Sequence, residues 1–346
     1  MKENNWILIG YVNQFYTKQL NLAALSLETE EHLWIYNKKI NQITQHAHGV
    51  AGIKKIEKKY LIAYQSRPVV FVFLNEDFTF HSSFSTRKID DVHSISYSKE
   101  GIYVTSTGND SVFKLLTDSN FNIISVKRIW RHQLSNPKKD SDQLHVNSIC
   151  NYKNSLYISC FGHSPSEKHD KTNKKGHIIE LNSNKVIYNN VGQPHTLNKV
   201  DNKLCFLESS EGTLHFIDGK KVNINGYLRG MSTLKNEICI GVSGKRIKSK
   251  SKKSLNFKLT NKEEKAEIVV LDKNTLKVKK NIQLGTYGNE IYDIIPLLNF
   301  NPNKFRKKNE SIQIQLLKDK INRLVDESIS KTKNNRGFSR IIKLFK

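Results

Sequence analysis

Short runs of alternating apolar and polar residues, separated by polar turns, recur along most of the chain. In the stretch Pro194–Phe216, a polar start at His195 leads into one strand. The turns ending at Lys203 and Gly212 each lead into another strand. Alternation with a period of two predicts half-buried strands, and closely spaced turns predict a repeated unit of short antiparallel strands. Such a unit is typical of one blade of a β-propeller.

Comparable units begin elsewhere in the chain, at His48, His93, His145 and Arg229. The first segment, from Trp6, contains three strands without an innermost one, and Asn289–Leu297 resembles the start of a unit with nothing after it. Pairing of these two segments would leave no sheet edge at the seam. We therefore predict an all-β domain over residues 1–298, a six-bladed β-propeller closed by N-terminal strands and a C-terminal strand.

Two polar insertions, Ser164–Lys175 and Lys245–Lys265, interrupt the fourth and sixth units and are predicted to be loops. From residue 299 the pattern changes to helical spacing, which predicts an amphipathic helix over Ser311–Ile329. The basic and apolar tail Arg336–Lys346 follows. Residues 299–346 are thus predicted to form a helix that packs on the propeller, with peripheral membrane contact through the tail as the alternative.

The composition of the chain indicates which class of binding partner and which cellular compartment to expect. The net charge is +24 over 346 residues, but the lysines are spread along the chain without an aromatic-interleaved stripe, which disfavours a nucleic-acid binder. The four cysteines lie in apolar runs without a CxxC pair, as expected for free thiols in a reducing compartment. With no apolar run of about 20 residues and no signal-like start, a cytoplasmic protein is expected.

The strongest candidate site comes from superposing the units on their first apolar residue. Nearly all the positions that lead into the innermost strands are polar, and five of the 12 histidines of the chain occupy them. These strands line the central channel of a propeller, so the side chains are expected to converge at one channel mouth. The leading positions are His48, His93, Asn147, His195, Arg229 and Tyr292, and the positions two residues earlier are His46, Asp91, His145, Gln193, Tyr227 and Glu290.

Two chemistries fit such a ring. Neutral imidazoles with an amide and a carboxylate could bind a divalent metal (Mn, Zn, Fe or Ca), and the candidate ligands are His93, His145, His195, Gln193 and Glu290. Alternatively, a histidine serves as base while Arg229, helped by Arg246, neutralises an acidic substrate. The candidate catalytic residues are His93, His145, His195 and Arg229, and the other candidate ligand-binding residues are His48, Asp91, Asn147, Gln193, Arg246, Tyr292 and Asp293.

Several ordered motifs resemble a largely bacterial family of domains of unknown function. They are Asp91-Val-His93, His145-Val-Asn147, Gly192-Gln-Pro-His195, Leu228-Arg-Gly230, Gly241-Val-Ser with Lys245-Arg246, and Glu290-Ile-Tyr-Asp293. The resemblance runs from about Trp6 to Leu297 and implies a six-bladed propeller with its site at the channel mouth. The family pattern reads His-Leu-Asn-Gly and Met-Pro-His-Ser where this chain has His145-Val-Asn-Ser and Gln193-Pro-His-Thr. More distant six-bladed propellers include lactonases and histidine-metal lyases.

The predicted function is a propeller that binds a divalent metal and a small or sugar-derived acidic ligand, as a lyase or hydrolase. The alternative is a non-catalytic platform for a ligand or protein, for example in cell-envelope glycan biosynthesis. No nucleophile elbow, phosphate loop or dinucleotide fingerprint occurs in the sequence.

Overall fold

The structure is a computed structural model of the 346-residue chain. It describes residues 5–12, 20–132, 142–162, 175–244, 266–284, 287–312, 314 and 318. The predicted insertion Lys245–Lys265 and nearly all of Ser164–Lys175 lie outside these residues.

The described strands form four four-stranded antiparallel sheets and one eight-stranded sheet, which divides into two groups of four joined only by the pair Val12 and Gly49. The first group contains β1 (Trp6–Val12), β2 (Leu22–Ser26) and β3 (His32–Trp34), with β24 (Glu290–Leu297) beside β1. The second contains β4 (Gly49–Ile56), β5 (Lys59–Gln65), β6 (Val69–Asn75) and β7 (Phe80–Thr86). The third contains β8 (Val92–Ser98), β9 (Gly101–Ser106), β10 (Ser111–Thr117) and β11 (Ile123–Arg131).

The remaining groups follow the same order. The fourth contains β12 (Val146–Tyr152), β13 (Ser155–Cys160), β14 (Gly176–Glu180) and β15 (Lys185–Val191). The fifth contains β16 (Pro194–Val200), β17 (Lys203–Glu208), β18 (Thr213–Phe216) and β19 (Lys221–Asn223). The sixth contains β20 (Tyr227–Thr233), β21 (Glu237–Ser243), β22 (Glu267–Asp272) and β23 (Val278–Gln283).

The innermost strands form a closed ring, in which β24, β4, β8, β12, β16 and β20 each contact the next and β20 returns to β24. The seam is closed as the sequence predicted, because β24 pairs antiparallel with β1 from Trp6 opposite Leu297 to Val12 opposite Glu290. This arrangement of four-stranded sheets is a β-propeller. It places the start of every innermost strand at the same end of the ring.

Apolar side chains from neighbouring groups pack together between the sheets. Phe71 and Phe73 of the second group lie in one buried cluster with Ile95 and Val104 of the third. Burying one phenylalanine side chain stabilises a fold by roughly 1.5–3 kcal/mol. Packing of apolar side chains between facing sheets therefore holds the sheets together. The polar residues lie mainly at strand ends and outer edges.

The outermost strands are the part of each unit that the pattern did not predict in full. In β7 and β15 nearly every residue is half-buried or exposed. An outer strand packs little against the core, so its alternation of apolar and polar residues is weak. The short helix α1 (Lys38–Ile43) was also not predicted; the side chain of Asn37 caps it by accepting from the backbone N–H of Lys39 and Ile40 at 3.1 and 3.3 Å.

The chain divides into two compact units, residues 1–300 and 301–346. In the second unit a helix begins at residue 303 and continues through residue 312, which is earlier than the predicted start at Ser311. The apolar positions Leu317, Ile321, Leu324 and Val325 of that prediction, and the basic tail, lie outside the described residues. Among the helices described, none has both the length and the apolar character needed to cross a membrane.

Candidate functional site

A register shift occurs near the start of every innermost strand, at a residue or pair of residues left out of the strand pairing. A β-bulge of this kind adds unpaired backbone and redirects the side chain at that position. The first residues left out of the pairing are Ala51, His93, Asn147, Thr196, Arg229 and Tyr292. Four of the six are residues that the sequence placed at the leading positions of the units, and in the fifth unit the leading residue, His195, directly precedes the bulge.

The residues two positions before His93, Asn147 and His195 have left-handed backbone. Asp91, His145 and Gln193 have φ values of 54°, 54° and 51°. For residues other than glycine this conformation is uncommon, and short polar side chains tolerate it best. The turns into β8, β12 and β16 are thus each built around a polar residue.

Seven side chains form a closed ring of contacts. The aromatic ring centroids of His93 and His145 lie 5.0 Å apart, and Phe161 lies 4.3 Å from His145 and 4.8 Å from His195. His195 lies 5.5 Å from Tyr227. The circle closes as the Arg229 guanidinium lies 4.9 Å from the Tyr227 ring and 5.0 Å from the Tyr292 ring, and Tyr292 lies 5.5 Å from His93. We call this set the channel ring.

Arg229 is the buried cation of the channel ring, with 6% of its surface exposed. Its polar contacts are long, since Nη1 lies 3.5 Å from Oε2 of Glu290 and Nη2 lies 3.5 Å from the Tyr227 hydroxyl. Nε has no hydrogen-bond partner among the described residues. A buried guanidinium is costly to leave so loosely paired, so the site has unused capacity to bind an anion.

His195 is held in one tautomer by its neighbours. Its Nδ1 lies 3.0 Å from the carbonyl oxygen of Gln193, which can only accept, and 2.6 Å from Oγ of Ser209. That hydroxyl donates to the carbonyl of Leu228 at 2.6 Å, so we assign the proton to Nδ1 of His195. Nε2 is buried without a partner in the described residues. Burial, with the positive charge of Arg229 beside it, holds the pKa of His195 well below its usual value. It is therefore a neutral base.

The pKa values of His93 and His145 are shifted in opposite directions although their rings are in contact. Nδ1 of His93 donates to the Asp91 carbonyl at 3.0 Å, and burial lowers the pKa of His93 to about 4. Nδ1 of His145 lies 3.1 Å from the Asp142 carboxylate. Burial lowers the pKa of His145, but this carboxylate raises it by more, so the pKa of His145 lies above its usual value. The channel ring thus contains neutral and readily protonated imidazoles side by side.

The residues that follow His93, Asn147 and Tyr292 join neighbouring strands through their side chains. Ser94 accepts from the backbone N–H of Ile149 and Ser148 from that of Leu197, at 3.3 and 3.0 Å. At the seam Asp293 takes this place and accepts from the backbone N–H of Ile53 at 2.8 Å. Burial raises the pKa of Asp293 to about 6. The carboxylate, proposed from sequence as ligand-binding, here joins β24 to β4.

The structure does not bring every predicted residue to the channel ring. His46 and His48 are exposed before β4, and the bulge of this strand is at Ala51. The superposition by sequence was therefore out of register by three residues in the second unit. Asn147 is buried at its bulge, with Nδ2 unpartnered among the described residues. Arg246 lies outside the described residues.

Three residues of the site were missed from the sequence, and one of them, Asp142, precedes β12 and pairs with His145. Phe161 follows the end of β13, and its ring bridges His145 and His195. Ser209 follows β17 and fixes the tautomer of His195. Both lie where a second strand returns to the channel mouth, and that position is the signal that would have found them. Gln193, which was predicted, orients Tyr227 by accepting from its hydroxyl at 3.1 Å.

Each of the five proposed metal ligands makes a contact within the protein, and that of Gln193 is with the Tyr227 hydroxyl. Glu290 lies against Arg229, and Nδ1 of each of the three histidines faces a carbonyl or carboxylate of the chain. Within the described ranges, no group of three His, Cys, Asp or Glu side chains is arranged to hold a metal ion. The geometry therefore does not assemble the proposed ligands into one metal site, and metal binding stays a prediction.

Residues 13–304 match the family described as "Domain of unknown function (DUF4915)". This confirms the resemblance to a functionally uncharacterised family. No curated protein matches the sequence.

Among solved structures, the chain is similar to a protein of unknown function from Bacteroides caccae (TM-score 0.57, 11% identity, 86% of this chain and 100% of that one). It is also similar to the periplasmic gluconolactonase of Pseudomonas aeruginosa (TM-score 0.53, 10% identity, 84% and 98%). A third is a chain in the nidogen/laminin complex (TM-score 0.55, 10% identity, 86% and 100%). At these identities the likeness shows the fold alone.

Proposed function

We propose that this chain, which belongs to the DUF4915 family, binds a small or sugar-derived acidic ligand at the channel ring and acts on it as a lyase. The observation that supports the proposal most strongly is Arg229, a buried guanidinium whose nearest carboxylate oxygen is 3.5 Å away and whose Nε has no partner in the described residues. A ligand carboxylate would supply the short, charge-assisted hydrogen bonds that this cation lacks.

Proton transfer in the proposed reaction begins at His195. Its Nε2 removes the hydrogen on the carbon next to the ligand carboxylate, while Arg229 stabilises the negative charge that develops on the carboxylate oxygens. The electron pair of the broken C–H bond forms a carbon–carbon double bond as the neighbouring C–O bond breaks. The leaving oxygen takes a proton from His145, which the Asp142 carboxylate favours in its protonated form.

The remaining side chains position the ligand. The amide Nδ2 of Asn147 is buried without a partner among the described residues and is available to donate to a sugar hydroxyl or carboxylate. Gln193 and Ser209 hold Tyr227 and His195 in place. No step of this reaction requires a metal, and the elemental content of protein purified without chelator tests the separate prediction of a divalent ion.

Ligand binding is tested with mannuronic acid, a sugar acid, and with mannose, which lacks the carboxylate. Calorimetry should detect the acid and not the neutral sugar. Replacing Arg229 by Met should weaken binding of the acid by about 100-fold, because a buried charge pair is worth roughly 2–5 kcal/mol. Arg229→Lys is the matched control for charge without the planar fork. Equal binding by the wild type and Arg229→Met, with both folded, would overturn the proposal.

Lyase activity is tested with a mannuronate tetramer, because elimination leaves an unsaturated product that absorbs ultraviolet light. Binding without any product, across a panel of uronate oligomers, would favour the alternative function of a non-catalytic ligand platform.

A further inference from the structure

A basic groove of about 890 Å³ lies between the second and third four-stranded groups. Its charged lining residues are Arg67, Arg87, Lys88, Lys127, Arg128 and Asp90. Five cations therefore face one carboxylate. Although the lysines of the whole chain are dispersed, this groove concentrates positive charge in a concave surface, where its field adds up.

The groove contains one arginine–carboxylate pair formed by the chain itself. Nε and Nη2 of Arg67 lie 2.8 and 2.9 Å from the two carboxylate oxygens of Asp90, so the guanidinium binds this carboxylate through two parallel hydrogen bonds. This fork-to-fork geometry is the one by which arginine recognises carboxylates in ligands.

Neighbouring residues along the chain link the lining of the groove to the channel ring. Asp90 lines the groove, and the next residue, Asp91, holds His93 of the channel ring through its carbonyl. The carboxylate of Asp91 also accepts from the side chain of Gln65, two residues before Arg67. Residues 90–93 therefore contribute to both sites, and residues 65–67 join the groove to Asp91.

The apolar part of the lining argues against nucleic acid. Phe113 is the aromatic residue of the lining; it is only 3% exposed, and the Arg128 guanidinium lies 5.3 Å from its ring centre. Proteins that bind single-stranded nucleic acid stack bases on exposed aromatic rings, and this groove presents none among its lining residues. Its chemistry suits a chain whose charges are carboxylates.

We propose that the groove is a second subsite that binds the continuing acidic residues of a uronate-containing oligosaccharide, one of whose carboxylates is held at Arg229. The ligand class is thus an acidic glycan chain rather than a single sugar acid. This inference rests on the proposed function of the channel ring, which it extends along the surface.

The test compares the mannuronate tetramer with the monomer by calorimetry. The groove variant is Arg87→Ala/Lys88→Ala/Lys127→Ala, which keeps the Arg67–Asp90 pair. Its matched control is Lys58→Ala/Lys99→Ala/Lys153→Ala, which removes equal charge from exposed positions in the turns after β4, β8 and β12. A mannose tetramer and a thymidine oligonucleotide serve as neutral and nucleic-acid probes.

We expect the wild type to bind the acidic tetramer about tenfold more tightly than the monomer, because additional carboxylates lie within a Debye length of the groove cations. The groove variant should lose this gain and keep its affinity for the monomer, whereas the control should change either affinity by less than about twofold. The mannose tetramer should not bind.

Three results would overturn the inference: equal affinity of the wild type for tetramer and monomer, undiminished tetramer binding by the groove variant, or tighter binding of the oligonucleotide than of the tetramer. Failure of the proposed function has a different signature. In that case the monomer does not bind at all, while tetramer binding persists in Arg229→Met and is lost only in the groove variant.

Discussion

The two sides of Phe161 present the same residue type in opposite states. On one side His145 faces the Asp142 carboxylate at 3.1 Å, and its pKa lies above the usual value. On the other side His195 faces a carbonyl, a hydroxyl and the nearby Arg229, and its pKa lies well below the usual value. Both are largely buried. Since burial lowers the pKa of both histidines, their opposite shifts come from the charges beside them, the Asp142 carboxylate and the Arg229 guanidinium.

The largest expected effect comes from replacing His195, the neutral histidine of the two. His195→Gln should lower the turnover of the mannuronate tetramer by about 100-fold or more, the usual contribution of a general base, while its affinity changes by less than about threefold. Steady-state kinetics and calorimetry separate the two. His93→Gln is the matched control, because His93 also donates to a carbonyl at 3.0 Å. A larger loss of turnover in His93→Gln than in His195→Gln would show that His93, and not His195, is the base.

Asp293 is a second carboxylate that can be compared with Asp142. Its hydrogen-bond partners are backbone N–H groups, whereas the partner of Asp142 is the imidazole of His145. The pKa of Asp293, about 6, is raised by burial, so its folded state holds a proton more tightly than the unfolded chain. Stability from this group is therefore complete below about pH 4 and is lost as pH rises through about 6.

Asp293→Ser introduces the residue type that Ser94 and Ser148 provide at the corresponding positions. It should remove the loss of stability that the wild type shows as pH rises. We expect the variant to gain about 1–3 kcal/mol in free energy of unfolding relative to the wild type between pH 4 and pH 8. Denaturant unfolding at several pH values measures it. A constant difference across this range would contradict the raised pKa.

Removing the carboxylate beside His145 should have a smaller effect on stability. Asp142→Asn removes the carboxylate, so the pKa of His145 should fall, as NMR titration of its ring proton would detect. In the folded wild type the raised pKa of His145 contributes stability that is present below about pH 6.5 and is lost as pH rises through the folded pKa. The variant should therefore lose about 0.5–1 kcal/mol at pH 5.5 and less at pH 8. A loss that grows with pH would contradict this assignment.

The smallest effect is expected at His48, which is exposed and outside the channel ring. His48→Ala should change the free energy of unfolding by less than about 0.5 kcal/mol and leave affinity for mannuronate unchanged. Calorimetry on the same samples as Arg229→Met provides the comparison. A loss of affinity in His48→Ala would restore this histidine to the site and show that the register of the second unit differs in solution.

Most of the fold could be predicted from the sequence because the signal is local. Strand alternation needs only neighbouring residues, so Leu204–Leu207 or Val69–Leu74 could be recognised alone. The seam also followed from counting, since Trp6–Val12 lacked an inner partner and Glu290–Leu297 lacked outer ones. The outer strands such as Lys185–Val191 were missed because a strand with little burial has little pattern.

For the site, the sequence by itself determined which polar residues open the innermost strands, and therefore most members of the channel ring. The tertiary structure decided the rest. The bulge at Ala51 rather than His48, the bridge by Phe161 and the turn of Asp293 towards Ile53 all depend on contacts between segments distant in sequence. The opposite pKa shifts of His145 and His195 depend on them as well, because a protonation equilibrium responds to the charges and burial around a side chain rather than to its neighbours along the chain.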